Sequence, residues 1–180
     1  MPSFDWQLFE GLPSPTPIIS LEAGDHTPRT LIYGLFDTGA VITSLQSPKQ
    51  FELGIRDDRC VPMALGAANG LVTWQKLTVT SGWLDGHEFR LPLTISPSLP
   101  INLFGRVGIM DLWEINLNPA ALTTEMAWLG PQPPSGGRPW AASWEAYWSD
   151  LLGLGYDWSN WNANGRPGLP SYPRRPKPLN

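Results

Sequence analysis

Between Pro17 and Asn118 short apolar runs alternate with turn signals, and the runs are too brief for long helices. Ile18 to Ala23 and Arg29 to Phe36 read as two strands joined by a turn at Gly24-Asp25, a hairpin. Val41 to Leu45 alternates through Val41, Thr43 and Leu45 and predicts a further strand. Phe51 to Arg59 is polar and turn-rich and reads as a surface loop. Val61 to Leu65 leads into a small-residue loop, Leu65 to Gly70, and Leu71 to Thr80 leads out of it. In that outgoing segment Val72, Trp74, Leu77 and Val79 read as core-facing or substrate-facing. Gly82 to Gly86 predicts a turn, Glu88 to Ile95 a strand, and Pro97 to Pro100 a bend into the apolar segment Ile101 to Phe104. Val107 to Leu112 predicts a short helix, and Trp113 to Leu117 a last strand closed by Asn118-Pro119. Many short strands, frequent turns and one short helix predict a mainly β domain, small and closed.

The flanks read differently. Residues 1–17, with Pro13, Pro15 and Pro17, predict a flexible leader. Residues 119–180 hold ten of the twenty prolines and six of the ten tryptophans and read as a Pro/Trp/Gly-rich, partly disordered tail. Within it, Trp144, Tyr147, Trp148 and Leu151 recur at helical spacing, which predicts a helix over 143–152. The division expected is thus a leader at 1–17, a domain at 18–118 and a tail at 119–180.

Composition narrows the classes. Hydrophobic residues form 42% of the 180, enough to build a core. The net charge of −4 argues against non-specific nucleic-acid binding by the whole chain. The one cysteine, Cys60, excludes an intrachain disulfide and reads as an ordinary thiol. The two histidines, His26 and His87, have no Cys or His at metal-ligand spacing and read as surface residues, so no metal or cofactor is expected. No apolar run approaches the ~18 residues of a membrane span, and Met1 to Glu10 lacks the basic start and apolar centre of a signal peptide. An intracellular or virion-associated location is the expectation.

One stretch carries chemistry. In Leu35-Phe36-Asp37-Thr38-Gly39-Ala40 an acid stands between an apolar strand and a glycine turn. Burying a carboxylate is costly unless it is paired or hydrogen-bonded. Asp-Thr-Gly is also a common turn tripeptide, so its meaning depends on the residues downstream. Downstream lie the loop Gly66-Ala67-Ala68-Asn69-Gly70 and then Ile101-Asn102-Leu103-Phe104-Gly105-Arg106, an apolar strand running into Gly-Arg.

An Asp-Thr-Gly-Ala, a glycine-rich loop and a Leu-Phe-Gly-Arg, in that order within Pro17 to Asn118, resemble the retroviral aspartic proteases, or retropepsins. The resemblance implies a small closed β-barrel and a homodimer that hydrolyses peptide bonds in a polyprotein substrate. Catalysis would fall to Asp37, Thr38 and Gly39. Ala40, Ile42, Gly66, Ala67, Ala68 and Ile101 would line the substrate groove, with Gly66 to Gly70 as the flap. Gly105 and Arg106 would be structural. The chain has one such acid, and Asp85-Gly86 is a routine turn dipeptide that lacks the Thr. A pair of carboxylates sharing one proton therefore needs two copies of the chain; the handling of a shared proton by such a pair is well established for aspartic proteases. The chain departs from the family pattern at Val41 and Val107, where many members are polar or acidic. The alternative is a catalytically relaxed module, from an endogenous retroelement, that keeps the fold for dimerisation or peptide binding.

Overall fold

The structure, a computed structural model, describes residues 1–9, 11–66, 72–106, 108–110 and 112–130. It is mainly β. The strands are β1 (Ser3–Asp5), β2 (Ile18–Ala23), β3 (Thr30–Phe36), β4 (Thr43–Gln46) and β5 (Val61–Gly66), then β6 (Val72–Leu84), β7 (His87–Ser96), β8 (Leu103–Phe104), β9 (Trp113–Asn118) and β10 (Thr123–Trp128). One α-helix, α1 (Pro48–Glu52), and a 3-10 turn at Asp57–Arg59 lie between β4 and β5.

Seven strands form one sheet in the order β2-β3-β8-β4-β7-β6-β5, and β2 also pairs with β6 through Glu22–Trp83 and Ala23–Gly82. Alternation decides which side chains enter the core. Ile19, Leu21 and Ala23 of β2 are buried, while Glu22 between them is exposed. Ile32 and Phe36 of β3 are buried, while Leu31 and Tyr33 face out. These meet Leu45, Leu91, Leu93, Phe104 and Ile109 in one apolar cluster. The β6–β7 hairpin turns at Asp85-Gly86, both at positive φ (50° and 79°), the two-residue turn whose twist suits the flanking strands.

The placement of β8 matters most. It runs parallel to β3 and antiparallel to β4, between them. The loop that joins β3 to β4 must then cross the end of β8. That loop begins at Asp37.

The second sheet has three strands in the order β1-β10-β9. It draws on both expected flanks. The expected leader contains β1, paired with β10 from Ser3–Glu125 to Asp5–Thr123, and a bridge between Gln7 and Thr16. Regular structure also runs past Asn118: Pro119 sits in a hairpin loop leading to β10. The Asn118 carboxamide oxygen accepts the N–H groups of Ala120 and Ala121, and Leu122 takes a positive φ of 55°, which turns the chain back. Phe4, Ile115 and Trp128 then pack against the main apolar cluster around Trp113 and Met126.

The short helix also lies elsewhere than expected. Around 108–112 the described residues form turns, with N–H groups of Met110 and Trp113 donated to the carbonyls of Arg106 and Ile109. Gly108, at φ 81°, interrupts any longer helix there. The helix forms instead at Pro48–Glu52, ahead of and overlapping the start of the expected loop, with proline in its first turn. Val72 and Trp74 are 63% and 38% exposed, outside the core, whereas Leu77 is buried. His87 is half-buried, stacked on Trp128 at 4.6 Å, rather than a free surface residue. The expected flap tip at 67–70, Val107 and the helix over 143–152 fall outside the described residues.

Candidate active site

The acid loop is built almost wholly from backbone. Asp37 leaves β3 with its N–H donated to the carbonyl of Phe104, the last residue of β8, at 3.0 Å. Its side chain folds back along the loop: Oδ1 accepts the N–H of Gly39 at 2.8 Å. The N–H of Ala40 is donated to the Asp37 carbonyl at 3.2 Å. The carbonyl of Ala40 then accepts the N–H of Arg106 at 3.0 Å. Two segments far apart in sequence, Asp37–Ala40 and Phe104–Arg106, are thereby stitched at both ends.

Gly105 lies between the stitches, and the crossing explains why it is glycine. An added Cβ would overlap the backbone of Ile42, with Ile42 N at 2.7 Å and its carbonyl oxygen at 2.5 Å. No side chain fits under the loop. The N–H of Gly105 is donated to Thr43 Oγ1 at 3.3 Å, which fixes where β4 begins.

Asn102 completes the frame, although its place in the chain suggested no role for it. It is 5% exposed. Its amide Nδ2 donates to the carbonyl of Tyr33 at 2.8 Å, and its Oδ1 accepts the N–H of Gln46 at 2.9 Å. One side chain thus ties β3 to β4 across β8, and its own carbonyl accepts the N–H of Leu35 at 2.9 Å. Its signal in the sequence was a lone amide between Ile101 and Leu103, since a buried polar group must find partners. Gln46 reinforces the bend before β8 by donating Nε2 to the carbonyls of Leu99 and Pro100 at 3.2 and 3.0 Å.

The expected site residues divide by exposure. Asp37 and Ala40 are half-buried at the loop, and Thr38 and Gly39 are exposed. Ile101 is half-buried and Gly66 exposed. Ile42 is only 3% exposed, so it belongs to the interior beneath the loop rather than to an open groove. Ala67 and Ala68 lie outside the described residues. Arg106 is exposed, so its guanidinium meets no cost of burial for want of an acid at position 41. Val41 itself is 44% exposed, an apolar side chain at the surface next to the acid motif.

The other reactive groups do not compete with Asp37. Burial pushes the Cys60 thiol up to about 12, and its Sγ donates to the Arg56 carbonyl, so it is held protonated and unreactive. Among the described residues no group of three or more His, Cys, Asp or Glu is placed to hold a metal ion. Among them too, no helix is long and apolar enough to cross a membrane. What the loop offers chemically is a carboxyl group, half-buried at the end of a strand, on a rigid backbone with exposed neighbours. It can accept or donate a proton. No protein-family model matches the chain, and no curated protein matches it.

Proposed function

We propose that the chain is a homodimeric aspartic endopeptidase of the retropepsin type, with one Asp37 from each copy at a two-fold axis. The observation that carries this reading is the double stitch between the acid motif and Leu103–Arg106. The resemblance rests on those two motifs, and a chance pair of turn tripeptides has no reason to share hydrogen bonds. The return pairing of β2 with β6 supports the closed-barrel form of the fold.

In this reading the two carboxyl groups share one proton, because like charges so close do not both ionise. One carboxylate takes a proton from a water molecule, which attacks the peptide carbonyl. The other carboxyl gives its proton to the departing nitrogen. Gly39 N–H, on Asp37 Oδ1, holds the carboxyl plane during this exchange. Thr38, exposed beside it, is free to meet the partner copy. An extended peptide with apolar residues at the cut would lie beside Ala40 and Ile101.

Asp37→Asn tests the mechanism. The variant should retain the fold and its melting temperature yet cleave no peptide or polyprotein substrate by mass spectrometry. Retained cleavage overturns the mechanism. A second reading, a non-catalytic dimerisation or peptide-binding module, is favoured by the exposed Val41 beside the motif. A stable dimer in sedimentation that binds but never cuts extended peptides would select it.

A further inference from the structure

A chain of buried hydroxyl and amide groups crosses the main sheet from the strand after the acid loop to the strand that leaves the glycine loop. Residue partners across the sheet align Leu35 of β3 with Leu103 of β8, Leu103 with Ser44 of β4, Ser44 with Thr94 of β7, and Thr94 with Leu77 of β6. Partners side by side share a face, and so do residues two apart in one strand. Ser44, Thr94 and Gln75 therefore stand on one face, and that face is also the one of Leu35, two residues before Asp37.

Ser44, Thr94 and Gln75 are 7%, 0% and 7% exposed. Thr94 Oγ1 donates to Gln75 Oε1 at 2.6 Å, and Oε1 can only accept. That uses the one proton of Thr94. The 2.8 Å contact between Ser44 Oγ and Thr94 Oγ1 must then run the other way, with Ser44 as donor. Gln75 Nε2 donates onward to Thr73 Oγ1 at 3.2 Å. All donors point in one direction, from β4 through β7 to β6, and the chain ends one residue inside the start of β6.

Apolar side chains would fill such an interior with less risk, since each buried polar group left unpaired is costly. The network is directional, satisfied and central, and its two ends belong to the strand that follows the acid loop and the strand that follows the glycine loop. We propose that Thr94 is a positioning residue that locks the arm of the glycine loop, Val72–Lys76, to the strand issuing from the acid loop. Its effect on substrate rests on the protease reading; its effect on the arm does not.

Thr94→Val keeps the shape of the side chain and removes the hydroxyl. Amide hydrogen exchange across 72–76 should then quicken by about tenfold or more, while exchange at Leu35–Phe36 and Leu103–Phe104 stays as in the wild type. With a cleavable peptide, KM should rise about three- to tenfold and kcat should stay within about twofold, with an unchanged pH profile. Thr94→Ser, which restores the hydroxyl, should recover both. Ser44→Ala provides the same reading from the donor end if Thr94→Val folds poorly. Unchanged exchange across 72–76, equal acceleration over the whole sheet, or no recovery in Thr94→Ser overturns the proposal. A wild-type chain that cuts nothing overturns the protease reading instead, and the exchange comparison then decides the network alone.

Discussion

The acid seam and the terminal sheet are held by opposite means. At the seam, Asp37–Ala40 and Phe104–Arg106 meet backbone to backbone, with a glycine where the chains touch. The terminal sheet has its own strand pairing, but it is fixed to the rest of the protein by packed side chains: Trp113 and Met126 are 1% and 0% exposed, and Trp113 meets Trp128 edge-on at 4.8 Å. A contact of the first kind has no spare volume and fails when an atom is added. A contact of the second kind depends on filled volume and fails when atoms are removed. The two regions should therefore respond in opposite ways to substitutions that change size.

The largest effect is expected at Gly105. Gly105→Ala places a methyl group against the Ile42 backbone, which cannot move without shifting the acid loop. Chemical denaturation should show a loss of about 4 kcal/mol or more. Gly66→Ala is the control, because nothing lies within 4 Å of its added carbon; its change should stay within about 0.5 kcal/mol. Equal effects at the two glycines would break the comparison.

Next comes Met126→Ala. The residue is fully buried beside Trp113, and its truncation leaves a cavity. A loss of about 3 kcal/mol is expected. Hydrogen exchange at Leu35 and Asp37 should change less than exchange in β9 and β10, since no stitch of the seam involves the terminal sheet. A seam that loosens as much as the terminal strands would show that the regions are one unit.

A smaller effect is expected at Thr124. Its Oγ1 accepts the indole N–H of Trp6 at 3.0 Å, which draws the segment after β1 onto β10. Thr124→Val keeps the volume and removes the acceptor, at a cost of about 1 kcal/mol. The indole N–H resonance of Trp6 should shift and its exchange with solvent quicken, with the midpoint of global unfolding moved only slightly. An unchanged resonance would mean that the ring is held by packing alone.

The same contrast explains what could be read from the residues. The seam is local in its rules. Asp37, Gly39 and Gly105 are residues whose types follow from backbone needs at single positions, so an ordered set of short motifs reveals them. The hairpin of β2 and β3 was legible for a like reason: Leu21 and Ile32 each stand between polar or exposed neighbours. The terminal sheet is non-local. Ser3-Phe4-Asp5 is too short to show alternation, and its strand partner lies more than a hundred residues on. Pro119 looked like an end because the turn beyond it depends on Asn118, whose side chain serves as a cap there. Asn102 and Thr94 were missed because their partners come from strands that only the fold brings together.

The smallest effect asks whether charge forms a third kind of bond beside backbone contact and packing. Lys76 Nζ and Gln50 Nε2 donate to Asp57 Oδ1 at 2.6 and 2.5 Å, which joins β6 to α1 and the 3-10 turn. Burial alone would raise the Asp57 carboxyl, but the hydrogen bonds from Lys76 and Gln50 and the Lys76 charge together hold it below the ordinary carboxylate range. A lowered value in the folded state means that the ionised form is favoured by folding. The stabilisation is present at pH above the unfolded value of about 4 and is lost as pH falls through the folded value. The Asp57 side chain is 42% exposed, so solvent screens the pair and its share is under about 1 kcal/mol. Asp57→Asn should therefore lower stability slightly at pH 7, and its gap to the wild type should shrink as pH falls from 7 toward 2 in denaturant titrations. A gap that stayed constant between those pH values would assign the contact to shape rather than charge, and only the two kinds of bond first compared would remain.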